Sequence, residues 1–179
     1  YQDMLKHNNS LEFNKFSDVF VDLISNHPSS IYLNDAFKLA IDKTININEL
    51  ILARFYLNKM KSRFLNKENK DFYDFYDLKL DFLNITSKNR NQKKLLEIKL
   101  VCESFLLKHK NSDYKYLGKD ILSSVNASLY LLNNNISKLY NTLDNKASSN
   151  LYANKNNKLN IDKNDVFEPK RFFLLEFFE

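Results

Sequence analysis

One ten-residue phrase occurs twice in this chain, and no other feature constrains the fold as strongly. Around Leu23 the chain reads Leu-Ile-Ser-Asn-His-Pro-Ser-Ser-Ile-Tyr, and around Phe105 it reads Phe-Leu-Leu-Lys-His-Lys-Asn-Ser-Asp-Tyr. His27 aligns with His109, Ser30 with Ser112 and Tyr32 with Tyr114, all at one offset (109 − 27 = 82). An apolar stripe with helical spacing runs into each phrase, and a second such stripe leaves it. A repeated helix–turn–helix unit cannot bury its apolar face alone, so it points to stacked helical hairpins.

Composition agrees with helices. One glycine and two prolines in 179 residues are too few for the turns of an all-β fold. A hydrophobic fraction of 44% supplies a core and excludes a disordered chain. The abundance of Asn, Lys, Phe and Ile reflects biased base composition, so loop asparagines and lysine counts carry little weight. The net charge of +5 comes from 27 basic against 22 acidic residues. Both signs are interspersed without a basic run, so no nucleic-acid partner is expected. Cys102 is the single cysteine, which precludes an internal disulfide, and its place on an apolar stripe reads as inert packing. No stretch reaches the roughly 18–20 apolar residues of a membrane span.

The spacing predicts about seven helices. The first runs from a Ser10 cap through Phe13, Phe16, Phe20 and Leu23 and stops at Pro28. The second starts near Ser30 and buries Leu33, Phe37, Ala40 and Ile41. The third starts near Asn48 and carries Ala53, Leu57 and Met60. The fourth, over residues 71–85, has two apolar stripes, Phe72/Tyr76/Leu80 and Phe75/Leu78/Phe82, which place it between neighbours. Asp71, Asp74, Asp77 and Asp81 then fall on a solvated face. The fifth holds Leu95, Ile98, Cys102 and Phe105. The sixth runs from Ser112/Asp113 to Leu132 and contains Gly118, which a close helix approach would explain. Asn133–Asn135 read as a break before a seventh helix carrying Ile136, Leu139 and Leu151. The expected organisation is a helical repeat domain over residues 1–155. A polar linker and an aromatic segment follow over 156–179.

Chemistry is sparse. No phosphate-cradling glycine loop, H-E-x-x-H or paired-cysteine zinc pattern occurs, and nothing positions a Ser–His–acid triad. His27 and His109 both end helices, where a histidine favours the helix dipole. No enzyme activity, cofactor or metal is expected. What remains is surface. On a helical array, the groove candidates are Tyr32, Lys38, Arg54, Tyr56, Lys59, Arg63, Tyr73 and Tyr76, since Tyr and Arg bring large area with polar tips. Phe172, Phe173 and Phe177 belong to an apolar terminal segment that is expected to cap the array, to dock a partner or to lead into a further domain. Thirteen residues, 167–179, are too few to cross a bilayer as a helix.

The eight-residue spacing from Phe20 to Pro28, and a helical pair over residues 30–64, resemble tetratricopeptide repeats. Order and turns together resemble the tetratricopeptide lipoprotein of the bacterial outer-membrane β-barrel assembly machinery (the BamD-type family). The residues carrying this are His-Pro-Ser-Ser-Ile-Tyr, the helical pair, an inserted helix, then Lys-His-Lys-Asn-Ser-Asp-Tyr. Residues 136–155 stand where that family has a Leu-Ala-x-x-Glu-x-x-Val-Ala-x-x-Tyr segment. The resemblance covers residues 10–155 and departs at 156, where the family continues with further repeats. It implies a non-enzymatic protein-binding scaffold on the periplasmic side of the outer membrane, with another cell-envelope protein as partner. Membrane contact would come only through a lipid anchor outside this chain. The alternatives are an interaction domain of another outer-membrane lipoprotein acting in envelope integrity or division, or a surface adhesin.

Overall fold

A computed structural model describes residues 2–3, 13–64, 69–88, 91–159 and 161. The fold is all-α and of the tetratricopeptide-like helical-repeat class, with seven helices and no strand among the described residues. They are α1 (Phe13–Asn26), α2 (Leu33–Asn46), α3 (Leu50–Arg63), α4 (Lys70–Lys88), α5 (Gln92–Lys108), α6 (Lys115–Thr142) and α7 (Lys146–Asn156). The chain packs as two compact units, Tyr1–Ser87 and Lys88–Glu179. In the first, α1 packs on α2 and α2 on α3; in the second, α5 packs on α6 and α6 on α7. The last of the described helices ends at Asn156. The expected Ser10 cap lies outside the described residues.

The repeated phrase builds the same turn twice. The backbone N–H of His27 donates to the Leu23 carbonyl (3.1 Å), Ser30 N–H to His27 (3.0 Å) and Leu33 N–H to Ser30 (3.1 Å). In the second unit His109 donates to Phe105 (2.9 Å), Ser112 to His109 (3.2 Å) and Lys115 to Ser112 (3.1 Å). The serine hydroxyls accept from the backbone of Tyr32 (3.3 Å) and Tyr114 (3.1 Å). A serine side chain that bonds the chain two residues on holds a turn open to the next helix. That is why Ser recurs at this place while Pro28 and Lys110 differ.

The second turn of each unit is also shared. Asn48 and Asp144 adopt left-handed backbone, with φ of 63° and 54°. Glu49 N–H then reaches back to the Thr44 carbonyl (2.8 Å), and Asn145 N–H to Tyr140 (2.9 Å). This is the Schellman helix end, with Asn and Asp, the residues that best tolerate left-handed backbone, in place of glycine.

The first unit has an aromatic core. Phe20 is fully buried and meets Phe37 edge-on at 5.2 Å and Tyr56 at 5.0 Å. Such pairs add about 0.5–1.5 kcal/mol beyond the roughly 1.5–3 kcal/mol of burying each side chain. As its two stripes predict, α4 buries Phe72, Phe75, Tyr76, Leu78 and Leu80. Its aspartates are not simply solvated: Asp77 and Asp81 form an ion-paired seam to α3.

In the second unit Gly118 marks a close helix approach. A Cβ there would lie 3.0 Å from Phe105 Cε1 and 3.3 Å from Leu106 Cδ2. Cys102 is fully buried, and burial, aided by the Glu103 carboxylate, pushes its thiol up to about 12. The break expected at Asn133–Asn135 does not occur, because α6 continues to Thr142 and turns only at Leu143–Asn145. Asn133 and Asn134 join a polar seam instead. Gln92 Nε2 donates to Asn133 Oδ1 (2.8 Å), Asn133 Nδ2 to Asn156 Oδ1 (2.9 Å), and Asn156 Nδ2 to Asn134 Oδ1 (2.8 Å). The buried Asn133 amide finds partners on both neighbouring helices, so it need not break the backbone.

Candidate functional site

The face of α3 that meets α1 and α2 borders a shallow cleft of about 470 Å3. Ile24 of α1, Phe37 of α2, and Phe55, Tyr56, Lys59 and Arg63 of α3 line it. The α3 residues gather by periodicity, since positions 55, 56, 59 and 63 fall on one side at about 100° per residue. Phe37 and Tyr56 are buried and form the floor, whereas Phe55 stays 51% exposed. The Lys59 ammonium rests 5.5 Å from the Phe55 ring centroid. Such a contact at an exposed site contributes about 0.5–1 kcal/mol and leaves the cation at the rim. Arg63 donates through Nη2 to the Pro28 carbonyl at 2.6 Å, tying the end of α3 to the α1–α2 turn. The cleft therefore joins an apolar floor to a basic edge.

Of the groove candidates, Tyr56, Lys59 and Arg63 meet here. Arg54 lies on another face of α3. Its guanidinium donates to Asp77 Oδ1 at 2.8 Å and Asp81 Oδ1 at 2.5 Å, and Lys61 pairs with the other Asp77 oxygen. That seam joins α3 to α4. Lys38 sits with its ammonium 5.5 Å from the Phe72 ring centroid. Tyr32 is half exposed at the start of α2.

Tyr73 and Tyr76 belong to the packed interior rather than to an open groove. Tyr73 is buried and donates to the Phe64 carbonyl (2.8 Å); burial raises its hydroxyl pKa, against a hydrogen bond with Asn69 that lowers it. Tyr76 is buried, stacks on Phe72 at 4.3 Å and donates to Asp42 Oδ1 at 2.5 Å. Phe172, Phe173 and Phe177 lie outside the described residues.

Sequence reasoning missed Ile24, Phe37 and Phe55 as cleft residues. Phe37 reads only as core, and Phe55 reads as the flank of a buried helix. The available signal was Phe55 four residues before Lys59, an aromatic–cation pair on one helical turn. Among the described residues no three His, Cys, Asp or Glu side chains gather as metal ligands would, and no helix is long and apolar enough to cross a membrane.

The architecture defines the class, a helical-repeat protein with an apolar, basic-edged cleft. Beyond the class, the chain matches no known family's sequence pattern, and no curated protein aligns with it significantly.

Proposed function

We propose that this chain is a non-enzymatic protein-binding scaffold of the bacterial cell envelope, acting as the outer-membrane β-barrel assembly lipoprotein does. The cleft of the first unit carries the binding part of this reading. A half-exposed Phe55 beside buried Phe37 and Tyr56 offers a seat for one large apolar side chain. Burying such a side chain supplies about 1.5–3 kcal/mol. Lys59 and Arg63 at the edge then favour carboxylates on the same segment. The occupant is thus a peptide that pairs an aromatic or aliphatic anchor with acidic neighbours. Support for the envelope setting comes from the order of helices and turns around His27 and His109, which resembles that lipoprotein family.

A photo-crosslinking phenylalanine analogue at position 55, in cells making the chain, tests the reading. The expected product joins position 55 to a component of the barrel-assembly machinery, and Lys59→Glu reduces its yield several-fold. No crosslink to an envelope protein, or one whose yield ignores the charge at position 59, would sink it.

A further inference from the structure

The second unit holds a cavity of about 350 Å3, bordered by α5, α6 and the turn after α7. Lys99, Lys119 and Lys158 line it, with Glu103, Ser123 and Asn126. Three cations face one carboxylate, and Lys99 lies 3.8 Å from Glu103. The Lys119 ammonium rests 5.7 Å from the Tyr116 ring centroid, a contact loose enough to be exchanged for an anion.

A second observation comes from the repeat itself. Asn126 is only 6% exposed, and its Oδ1 is shut off from solvent with no hydrogen-bond partner. The equivalent residue in the first unit is Thr44 (126 − 44 = 82). Thr44 is also buried, but its hydroxyl donates within its own helix to Ala40 (2.8 Å) and Ile41 (2.9 Å). At one place in the repeat, then, a self-satisfied polar group has become an unsatisfied one beside a lysine-lined cavity. A buried acceptor left unpaired is costly, and native structures keep few without a reason.

We propose that this cavity binds a phosphate that still carries a proton, either hydrogen phosphate or the singly protonated form of a phosphate monoester, whose second pKa is about 6. The ammonium groups of Lys99, Lys119 and Lys158 donate to its bare oxygens. Its P–O–H donates to an acceptor, either the Glu103 carboxylate on the cavity wall or the Asn126 amide oxygen, which is shut off from the cavity until its side chain turns. No hydrogen bond holds that oxygen where it is, so rotation of the side chain brings it to the ligand. Sulfate has the same shape and charge but no proton near neutral pH, so it sets lone pairs against both acceptors. A phosphodiester lacks the proton too, which excludes ordinary phospholipid headgroups. The volume exceeds that of about ten waters, at roughly 30 Å3 each, and leaves room for the organic part of a small monoester.

Calorimetric titration of the full chain at about pH 6, where a monoester still holds a proton and sulfate does not, with inorganic phosphate, glycerol 3-phosphate and sulfate tests this. Inorganic phosphate binds one to one, and sulfate binds at least about tenfold more weakly. Glycerol 3-phosphate binding as well identifies a monoester site; its failure beside phosphate binding identifies the free ion. Lys119→Met, at an exposed position, weakens phosphate by about tenfold with unchanged helical circular dichroism. Glu103→Gln brings sulfate close to phosphate, because the new amide donates to sulfate. No heat from phosphate up to about 10 mM, or equal affinity for sulfate in the unsubstituted chain, overturns the proposal.

Discussion

Replacing Gly118 with alanine tests how the two units differ where the helices flanking the repeated turn approach each other. The added Cβ would sit 3.0 Å and 3.1 Å from two Phe105 ring carbons and 3.3 Å from a Leu106 methyl, where carbon atoms prefer about 3.5–4.0 Å. Phe105 is 3% exposed and its ring lies 5.1 Å from that of His109, so it yields only against its neighbours. Alanine gains about 1 kcal/mol of helix propensity, and overpacking costs about 2 kcal/mol, for a net loss near 1 kcal/mol. In the first unit the same two places hold Leu23 and Ala36, a smaller residue facing a larger one. Phe105→Leu should therefore relieve the clash. Alone it costs about 1.5 kcal/mol of packing, and the double substitution should cost only about 0.5 kcal/mol. Urea unfolding followed by far-ultraviolet circular dichroism on all four proteins then yields a coupling near 2 kcal/mol. Additivity within about 0.5 kcal/mol would refute the argument that residues 105 and 118 share one fixed volume.

Asn133→Leu strands Gln92 and removes one partner of Asn156, so it should cost about 1–3 kcal/mol and speed amide exchange in α7 before other helices of that unit. Asp144→Gly relieves left-handed backbone at φ 54° and should stabilise by about 0.5–1 kcal/mol, read as a raised unfolding midpoint. The Cys102 thiol, raised from 9.0 to about 12, holds its proton in the folded chain where the unfolded chain loses it. Its contribution to stability is therefore complete below pH 9 and is lost as pH rises from 9 towards 12. At pH 8 a thiol reagent should label it only as fast as the chain unfolds, and rapid labelling of folded protein would contradict the assignment.

Much of the architecture was legible because two independent signals agreed. The apolar spacing located helices, and the repeated phrase located the turns between them. Phe20 and Cys102, at one repeat position, are both fully buried although their chemistry differs. The asparagines were read least well. Discounting them as compositional noise hid the caps that Asn91 and Asn145 provide, accepting from Lys93 N–H (2.9 Å) and Ser148 N–H (3.1 Å). It also turned the Asn133 seam into a false break. Local propensity disfavours Asn inside a helix, but partners distant in sequence decide the outcome, and one helix's pattern does not contain them. The candidate site was legible only in part for a similar reason. Spacing brought Tyr56, Lys59 and Arg63 to one side of α3. It did not reveal that Arg54 was committed to Asp77 and Asp81, or that Tyr73 and Tyr76 were interior.

The length of α6 sets a rule for how such a unit grows. It has 28 residues where its counterpart α2 has 14, and the paired left-handed residues lie correspondingly farther apart (144 − 48 = 96, against 82 for the first turn). Fourteen added residues advance a helix by about 21 Å and rotate it about 40° short of four turns. The extension thus carries the Schellman end outward along the axis while keeping its azimuth nearly unchanged. Insertions of about 7, 11, 14 or 18 residues share this near-integral phase, whereas those of 5 or 9 would swing the following helix to the opposite side. Chain length in this position is free to change only in such quanta.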